Sequence, residues 1–578
     1  MCEMAFDLTG AEVAAHPNPY LTVDLNVEFR SPQHKTYLMP AFWDGGTRMV
    51  ARFSPVEPGE WDFRVTGNIP RLENQTGHFT AAPSDAPGFV HVANVRHWAT
   101  GVNTPHLWMG DTVSRFGMLD KATWEAIVDA RAKEKFNHLR GIAIGRGPDE
   151  RQAYPAPDRP SPEFFRRLDE GVRYANAKGM TVDLMLAPSA ADIAALFPAP
   201  ALRSRFVRYL VARYAPANLT WDGVETWEND PDGRALLKEI GLLIKQLDPF
   251  GHPRSTGAAV TSSPLLSDGW MDFVTYGTSD YRVGAVERQF YAVPFVNAGF
   301  AEEDSGAGKF TPRDADSDTF RHRLWNSVVN GEYPTSANTG LSGDKFKEEA
   351  RFADSPGARA MTAWFDLFTQ TRHWELEPYF EVDGGRGIAL DGSDYIVYVE
   401  KPAPIELTVE KHGYEVTWLN PVSGETIEGK KFNSEHFTGA VPDSSHDWVL
   451  WVHRNAHLGG YKFESRPAPE QVIEQEGSKI PFEIAEPKGS QVSAGRPGYY
   501  AAKLLRTTRG TRSMLYLWTV EVIADGQGFR VIGTGAEGTF QVPKGLVIHF
   551  PALLNLRVSA VNANGKAYQL DKVYNLTP

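Results

Sequence analysis

Between Leu21 and Thr80 apolar and polar residues alternate in short runs, LTVDLNVEF, TYLMPAFW, MVARFSP and WDFRVTG, broken by turn clusters at Asp44-Gly45-Gly46 and Glu57-Pro58-Gly59. Period-two alternation in pieces of this length predicts a small β-sandwich. From about His97 the pattern changes: β-rich runs alternate with stretches whose apolar residues recur every three or four positions, the mark of parallel strands joined by helices. Eight strands are predicted before about Thr371: His106–Asp111, Asn137–Ile144, Thr181–Ala187, Asn218–Val224, Arg254–Ala258, Asp272–Gly277, Pro294–Ala298 and Tyr333–Asn338. The helices between them are punctuated. Ser161 is an N-cap with Pro162 in the first turn, Phe165, Leu168 and Val172 share a face, and Gly179 stops the helix; another runs from Pro231 to Leu247. Eight units over this length predict a (β/α)₈ barrel, whereas a doubly wound open sheet normally has fewer.

After Trp374 the alternation returns in YFEVDG, YIVYVEKP, YEVTWLNP and DWVLWVHR, and a further all-β stretch contains MLYLWTVEVIA, GFRVIGTG and LNLRVSAVNANG. The expected division is an N-terminal sandwich over 1–95, the barrel over 96–373, a sandwich packed on it over 374–456, and a last β-sandwich module over 457–578. At 578 residues the chain needs several cores.

Composition narrows the function. A formal charge of −13 argues against a nucleic-acid partner, because phosphate binding relies on clustered Lys and Arg. The 15 Trp, 20 Tyr and 32 Phe supply flat faces suited to sugar rings, although core packing accounts for most of them. Cys2, the one cysteine, excludes an intramolecular disulfide and a cysteine metal cluster. The start of the chain as given has no basic segment followed by an apolar run, so localisation stays open between the cytoplasm and secretion with a signal removed. No run is apolar enough for a membrane span. The 16 His show no tight ligand spacing, so neither metal nor cofactor is expected; His106, His138 and His252 could each be a single contributor, although such residues are more often structural. Exposed β modules leave self-association into a homo-oligomer open.

Specific motifs carry a resemblance. Ala41-Phe42-Trp43-Asp44-Gly45-Gly46, Arg52-Phe53-Ser54-Pro55 and Pro58-Gly59-Glu60-Trp61 resemble the immunoglobulin-like domain that precedes certain bacterial carbohydrate-active barrels. Leu107-Trp108-Met109-Gly110-Asp111-Thr112 and Phe136-Asn137-His138-Leu139-Arg140 are similar to the first two strands of the apiosidase-like family of glycoside hydrolases. Trp418-Leu419-Asn420-Pro421 and Asp447-Trp448-Val449-Leu450 resemble the collagen-binding-like domain that ends many such proteins. The resemblance covers residues 20 to 454 and implies a barrel that cleaves plant or microbial polysaccharide with two carboxylates, without a cofactor.

Barrel enzymes work at the C-terminal ends of their strands, and glycoside hydrolysis needs an acid and a nucleophile or base there. Past strand four stand Glu225 and Glu228 beside Trp221 and Trp227; past strand seven stand Glu302 and Glu303, after Asn297. These four glutamates are the catalytic candidates. Relatives place a glutamate shortly after the strand-seven Asn, where this chain has Gly299, and an acid at the position held here by Thr226. Either the pair has moved to Glu225 or Glu228 and Glu302 or Glu303, or the site has decayed or been engineered inactive. Each glutamate also has a plain alternative as a helix cap or solvated loop residue. Asp111 and Arg140 are candidates for substrate contact, or pair with each other; Asp183 and Arg254 could join that network; Tyr276, Asp280 and Tyr281 could stack on or bind a sugar. A glycosidase is the leading expectation and a carbohydrate-binding pseudoenzyme the competing one, with a barrel lyase or isomerase behind both.

Overall fold

A computed structural model describes the chain except residues 146–149, 231, 304–313, 342–351, 455–472, 476–478, 486–490, 507–512, 524–526, 544–545 and 547. Eight parallel strands form the centre: β1 (Gly110–Thr112), β2 (His138–Ile142), β3 (Thr181–Ala187), β4 (Leu219–Val224), β5 (Arg254–Ser255), β6 (Val274–Tyr276), β7 (Phe295–Asn297) and β8 (Tyr333–Asn338). They are hydrogen-bonded in the order β5-β4-β3-β2-β1-β8-β7-β6. The remaining seam, β5 to β6, is bridged by the Asp272 N–H donating to the Arg254 carbonyl at 2.8 Å and by the Ser255 hydroxyl donating to the Phe273 carbonyl at 2.8 Å. The expected barrel is therefore present, nearly closed.

The first strand differs from expectation. Thr104–His106 pairs antiparallel with His97–Thr100 in a hairpin outside the barrel, and the chain enters β1 only at Gly110. The turn Gly101-Val102-Asn103 causes this, with Gly101 and Asn103 at φ +52° and +56°, a conformation that Gly and Asn tolerate best.

The outer helices follow their punctuation. Pro162–Ala177 starts where the Ser161 hydroxyl accepts the Phe164 N–H at 3.3 Å, buries Phe164, Phe165, Leu168 and Val172, and is followed by Gly179 at φ +81°. Each such side chain contributes roughly 1.5–3 kcal/mol of burial. Gly233–Leu247 buries Leu237, Ile240 and Ile244; Pro231, its expected start, lies outside the described residues.

The N-terminal β region begins earlier than the alternation suggests. Cys2–Asp7 pairs with Arg48–Phe53, and a short helix, Gly10–Ala15, is held by a reciprocal cap between Thr9 and Glu12. A second sheet, ordered Thr36–Pro40, Leu25–Arg30, Gly59–Gly67 and Thr76–Ala81, packs Phe29 on Phe53 at 4.1 Å. Charge and aromatic contacts lock this region to the barrel. Arg52 and Arg213 both donate to Asp169 at 2.6 Å, Arg213 also reaches Asp44 at 3.1 Å, and both guanidiniums lie over Phe42, at 4.8 and 4.3 Å. The buried Asp169 is held below the usual carboxylate range because the two guanidiniums overcome its burial.

On the other flank an eight-stranded β unit over residues 377–453 is tied to the barrel helix Ser317–Val328 by Arg321, which donates to Asp447 at 2.7 Å. The last β unit has its own core around Trp518 and Leu554, built on Leu515–Val522, Ala552–Val561 and Ala567–Thr577. Among the described residues, no helix is long and apolar enough to cross a membrane.

Candidate active site

Alternation along the strands decides what enters the barrel. The register aligns Gly110 with His138 and with Thr335, Thr112 with Arg140, Arg140 with Asp183, and Met185 with Asp222, and these residues face inward. The lower lumen is a hydrogen-bonded stack. His106 and His138 share a contact between their Nε2 atoms at 2.9 Å, His138 Nδ1 meets Asp183 at 2.9 Å, and the Thr220 hydroxyl donates to Asp183 at 2.8 Å. Trp108 lies flat on His138 with ring centroids 3.5 Å apart. Burial pushes both imidazoles well down and the Asp183 carboxyl well up, so this stack favours uncharged forms.

Above it sits a charged pair. Arg140 Nε donates to Asp222 at 2.7 Å, both groups being buried. Burial opposes the Arg140 charge, yet the Asp222 carboxylate, and after it Glu225, outweigh that and raise the guanidinium above its ordinary value. Gly257, just past β5, makes room for this arrangement: a Cβ there would lie 2.5 Å from Arg140 Nη2 and 2.4 Å from the Glu225 carbonyl oxygen. The half-buried Glu225 thus stands one residue beyond β4, within the field of Arg140.

The four candidate glutamates divide into two kinds. Glu228 reaches the loop after β5, where the N–H groups of Ala259 and Val260 donate to its two oxygens at 2.7 and 3.1 Å; burial raises its pKa against those bonds. Glu303 turns toward the N-terminus of the helix Pro356–Phe368, accepting from the Ser355 hydroxyl at 2.6 Å and the Gly357 N–H at 2.7 Å. Both carboxyls therefore hold backbone in place. Glu302 and Glu303 form a short strand beside β8, Glu302 opposite Ala337 and Glu303 opposite Asn338. Neighbours on a strand face opposite sides, so with Glu303 turned to the outer helix, Glu302 shares the inward side with Ala337.

Several other candidates lie elsewhere than at the mouth. Asp111 faces outward, bonded to Arg131 at 2.7 Å and to the Ser336 hydroxyl at 3.0 Å, and does not pair with Arg140. Its parity, opposite to Gly110 and Thr112, dictates this. Trp221 is also outward, its Nε1 donating to Asp248 at 3.0 Å. Trp227 is buried and donates to the Thr261 carbonyl. Tyr276 packs under the helix Tyr281–Glu287 with Val283 and Val286. Asn297 donates to Glu332 at 2.9 Å and accepts the Gly299 N–H at 3.1 Å. Asp280 caps that same helix by accepting the Arg282 N–H, and Tyr281 lies beneath Arg386, 4.0 Å from its ring centroid. Asp183 joins the lumen stack, while Arg254 is bound to Asp272 at 2.8 Å.

Gly299 has a local reason. A Cβ there would lie 2.3 Å from the carbonyl carbon of Gly277, and one on Gly277 would lie 1.8 Å from the Ala258 carbonyl oxygen. The backbones past β5, β6 and β7 touch through these glycines, with no space for a side chain at 299. Asp222, unremarked in the sequence, is the principal partner of Arg140; its inward parity two residues before Val224 was the available signal. Among the described residues, no group of His, Cys, Asp and Glu is arranged to hold a metal.

Residues 93–334 match the family described as apiosidase-like, catalytic domain, from the hairpin before β1 to the start of β8, and residues 2–68 match a domain of unknown function, DUF5060. Over this span the barrel is similar to the apiosidase-like glycoside hydrolases. The chain is also similar in fold to solved structures. One is a Bacteroides vulgatus ATCC 8482 protein assigned to the glycoside hydrolases, with 18% identity and a TM-score of 0.65 over 78% of this chain and 98% of that one. Another is a family 5 glycoside hydrolase from the same bacterium, with 14% identity and a TM-score of 0.56 over 66% and 97%. No curated protein sequence matches the chain. The expected fold thus stands, the expected resemblance to the apiosidase-like family holds over the barrel, and the family match supports glycoside hydrolysis as the general chemistry.

Proposed function

We propose that the chain cleaves a plant or microbial polysaccharide or oligosaccharide with Glu225 as general acid and Glu302 as nucleophile or base. The carrying observation is placement: half-buried Glu225 stands one residue beyond β4 in the field of Arg140, and half-buried Glu302 shares the inward side with Ala337 past β7. Arg140, fixed by Asp222 and near Glu225, supplies positive charge that can stabilise the negative charge developing on the glycosidic oxygen as the bond breaks. The acid protonates the leaving oxygen while the second carboxylate attacks the anomeric carbon or activates water; a separation near 5–5.5 Å gives retention and one near 6.5–9.5 Å gives inversion. No step needs a cofactor.

The crowding at Gly299 favours a relocated pair over a pseudoenzyme made by loss of one side chain. The position has no room for the glutamate that relatives carry. The division into N-terminal sandwich, barrel, middle sandwich and last module is proposed with it. The test is product analysis on a panel of plant and bacterial polysaccharides with the parent, Glu225→Gln and Glu302→Gln. Sugar release by the parent, lost in both variants, supports the reading; release that survives both sinks it.

A further inference from the structure

The last β unit is docked on the barrel beside the proposed site. Its Leu517 and Val561 share an apolar cluster with Val274, Tyr276, Val283, Val286 and Phe295 of the barrel. A short segment around its strand Arg530–Gly533 reaches further. Gly528, at φ +79°, comes so close that a Cβ would lie 2.3 Å from Arg234 Nη1 and 3.3 Å from Pro264 Cβ. This approach sets the Arg530 guanidinium over Trp227, 4.0 Å from the ring centroid. Arg530 Nη1 is anchored on its own side by the carbonyls of Gln527 and Gly528, at 2.8 and 3.3 Å, and its charge acts on Glu228. Trp227 and Glu228 belong to the turn that follows Glu225, and Glu228 in turn holds Ala259 and Val260 past β5. Four residues along from Arg530, the Thr534 hydroxyl donates to Asp280 at 2.5 Å, in the loop after β6.

We propose that the last module completes the catalytic mouth, with Arg530 and Thr534 bracing the loops after β4, β5 and β6, and that Arg530 is a positioning residue for Glu225. The catalytic half of this rests on the reading of Glu225 given above; the bracing does not. Arg530 is buried and does not touch substrate. It acts through Trp227, by attraction between cation and ring face, and through Glu228, whose half-buried carboxylate it partly neutralises.

The test uses the full chain carrying Arg530→Ala, Arg530→Lys or Thr534→Val, in two measurements. Hydrogen exchange is expected to quicken about tenfold at the Ala259 and Val260 amides in Arg530→Ala, and at Arg282 in Thr534→Val, with β3 amides unchanged as the control for folding. On a polysaccharide the parent cleaves, Arg530→Ala is expected to lower kcat at least about tenfold with KM within about threefold, since small displacements of a catalytic group cost rate. Arg530→Lys, which keeps charge over the ring, is expected to restore kcat to within about threefold. Unchanged exchange in a folded Arg530→Ala overturns the bracing. Faster exchange with an unchanged kcat overturns the positioning role. Faster exchange in a chain whose parent cleaves no polysaccharide upholds the bracing and overturns the Glu225 reading instead. If Arg530→Ala does not fold, Arg530→Gln takes its place under the same criteria, and Thr534→Val decides the bracing of the loop after β6 by exchange at Arg282.

Discussion

Glu287 should make this protein lose stability between mildly acidic and neutral pH. It is buried against the outer face of the barrel, where the hydroxyls of Thr261 and Ser263 donate to its carboxyl at 2.8 Å each. Burial raises it from 4.5 to about 7, against the lowering by those hydroxyls. The folded pKa lies above the unfolded one, so the folded state keeps a proton that the unfolded state releases. Stability from this group is complete below about 4.5 and is lost as pH rises toward 7. The gap corresponds to about 3 kcal/mol. Glu287→Gln keeps the shape and removes the titration. Differential scanning calorimetry of parent and variant at several pH values from 4.5 to 8 should show the variant gaining on the parent as pH rises. At roughly 2–4 °C per kcal/mol for a unit of this size, the Tm difference should change by about 6–12 °C over that range. A Tm difference that stays constant across the range would refute the reasoning.

Three further outcomes are expected. Gly299→Glu should gain no activity, and both it and Gly299→Ala should lower Tm, because the added Cβ meets the Gly277 backbone; a more active or equally stable Glu variant would contradict this. Asp169→Ala removes the carboxylate that buried Arg52 and Arg213 share, leaving them Glu3 and Asp44, and should cost about 3 kcal/mol, measured as the loss in chemical denaturation of the transition that includes the N-terminal sandwich. Glu303→Ala removes the carboxylate that accepts from the Ser355 hydroxyl and the Gly357 N–H at the start of Pro356–Phe368 and should cost about 1–2 kcal/mol, while leaving kcat within about threefold, as read by calorimetry beside initial rates.

The barrel was legible because its signals are local. Ser161, Pro162 and Gly179 bound a helix in the letters alone, and eight β-rich runs at regular spacing have few other folds to enter. The early start at Cys2 was less visible because Cys2–Asp7 is too short to show periodicity, although Thr9 and Glu12 already spelled a capping box. Of the proposed site, the letters offer only the region. That Glu228 turns to the loop after β5 and Glu303 to the helix Pro356–Phe368 depends on partners far away in sequence, Ala259 for one and Ser355 for the other. Asp111 shows the same limit: strand position was right, but one residue of parity turns it from the lumen to Arg131. Nothing near Gly299 in sequence reveals that Gly277 fills its space.

The most direct test of the central claim is leaving-group dependence in Glu225→Gln. Once the polysaccharide panel identifies the sugar released, rates are compared on the natural glycoside and on the 2,4-dinitrophenyl glycoside of the same sugar. A dinitrophenolate leaves without a proton, so a variant that lacks only its general acid should cleave the aryl substrate at near the parent rate in the bond-breaking step while losing about 100-fold or more on the natural one; Glu302→Gln should lose both. Equal losses on the two substrates in Glu225→Gln, or none, would contradict the account.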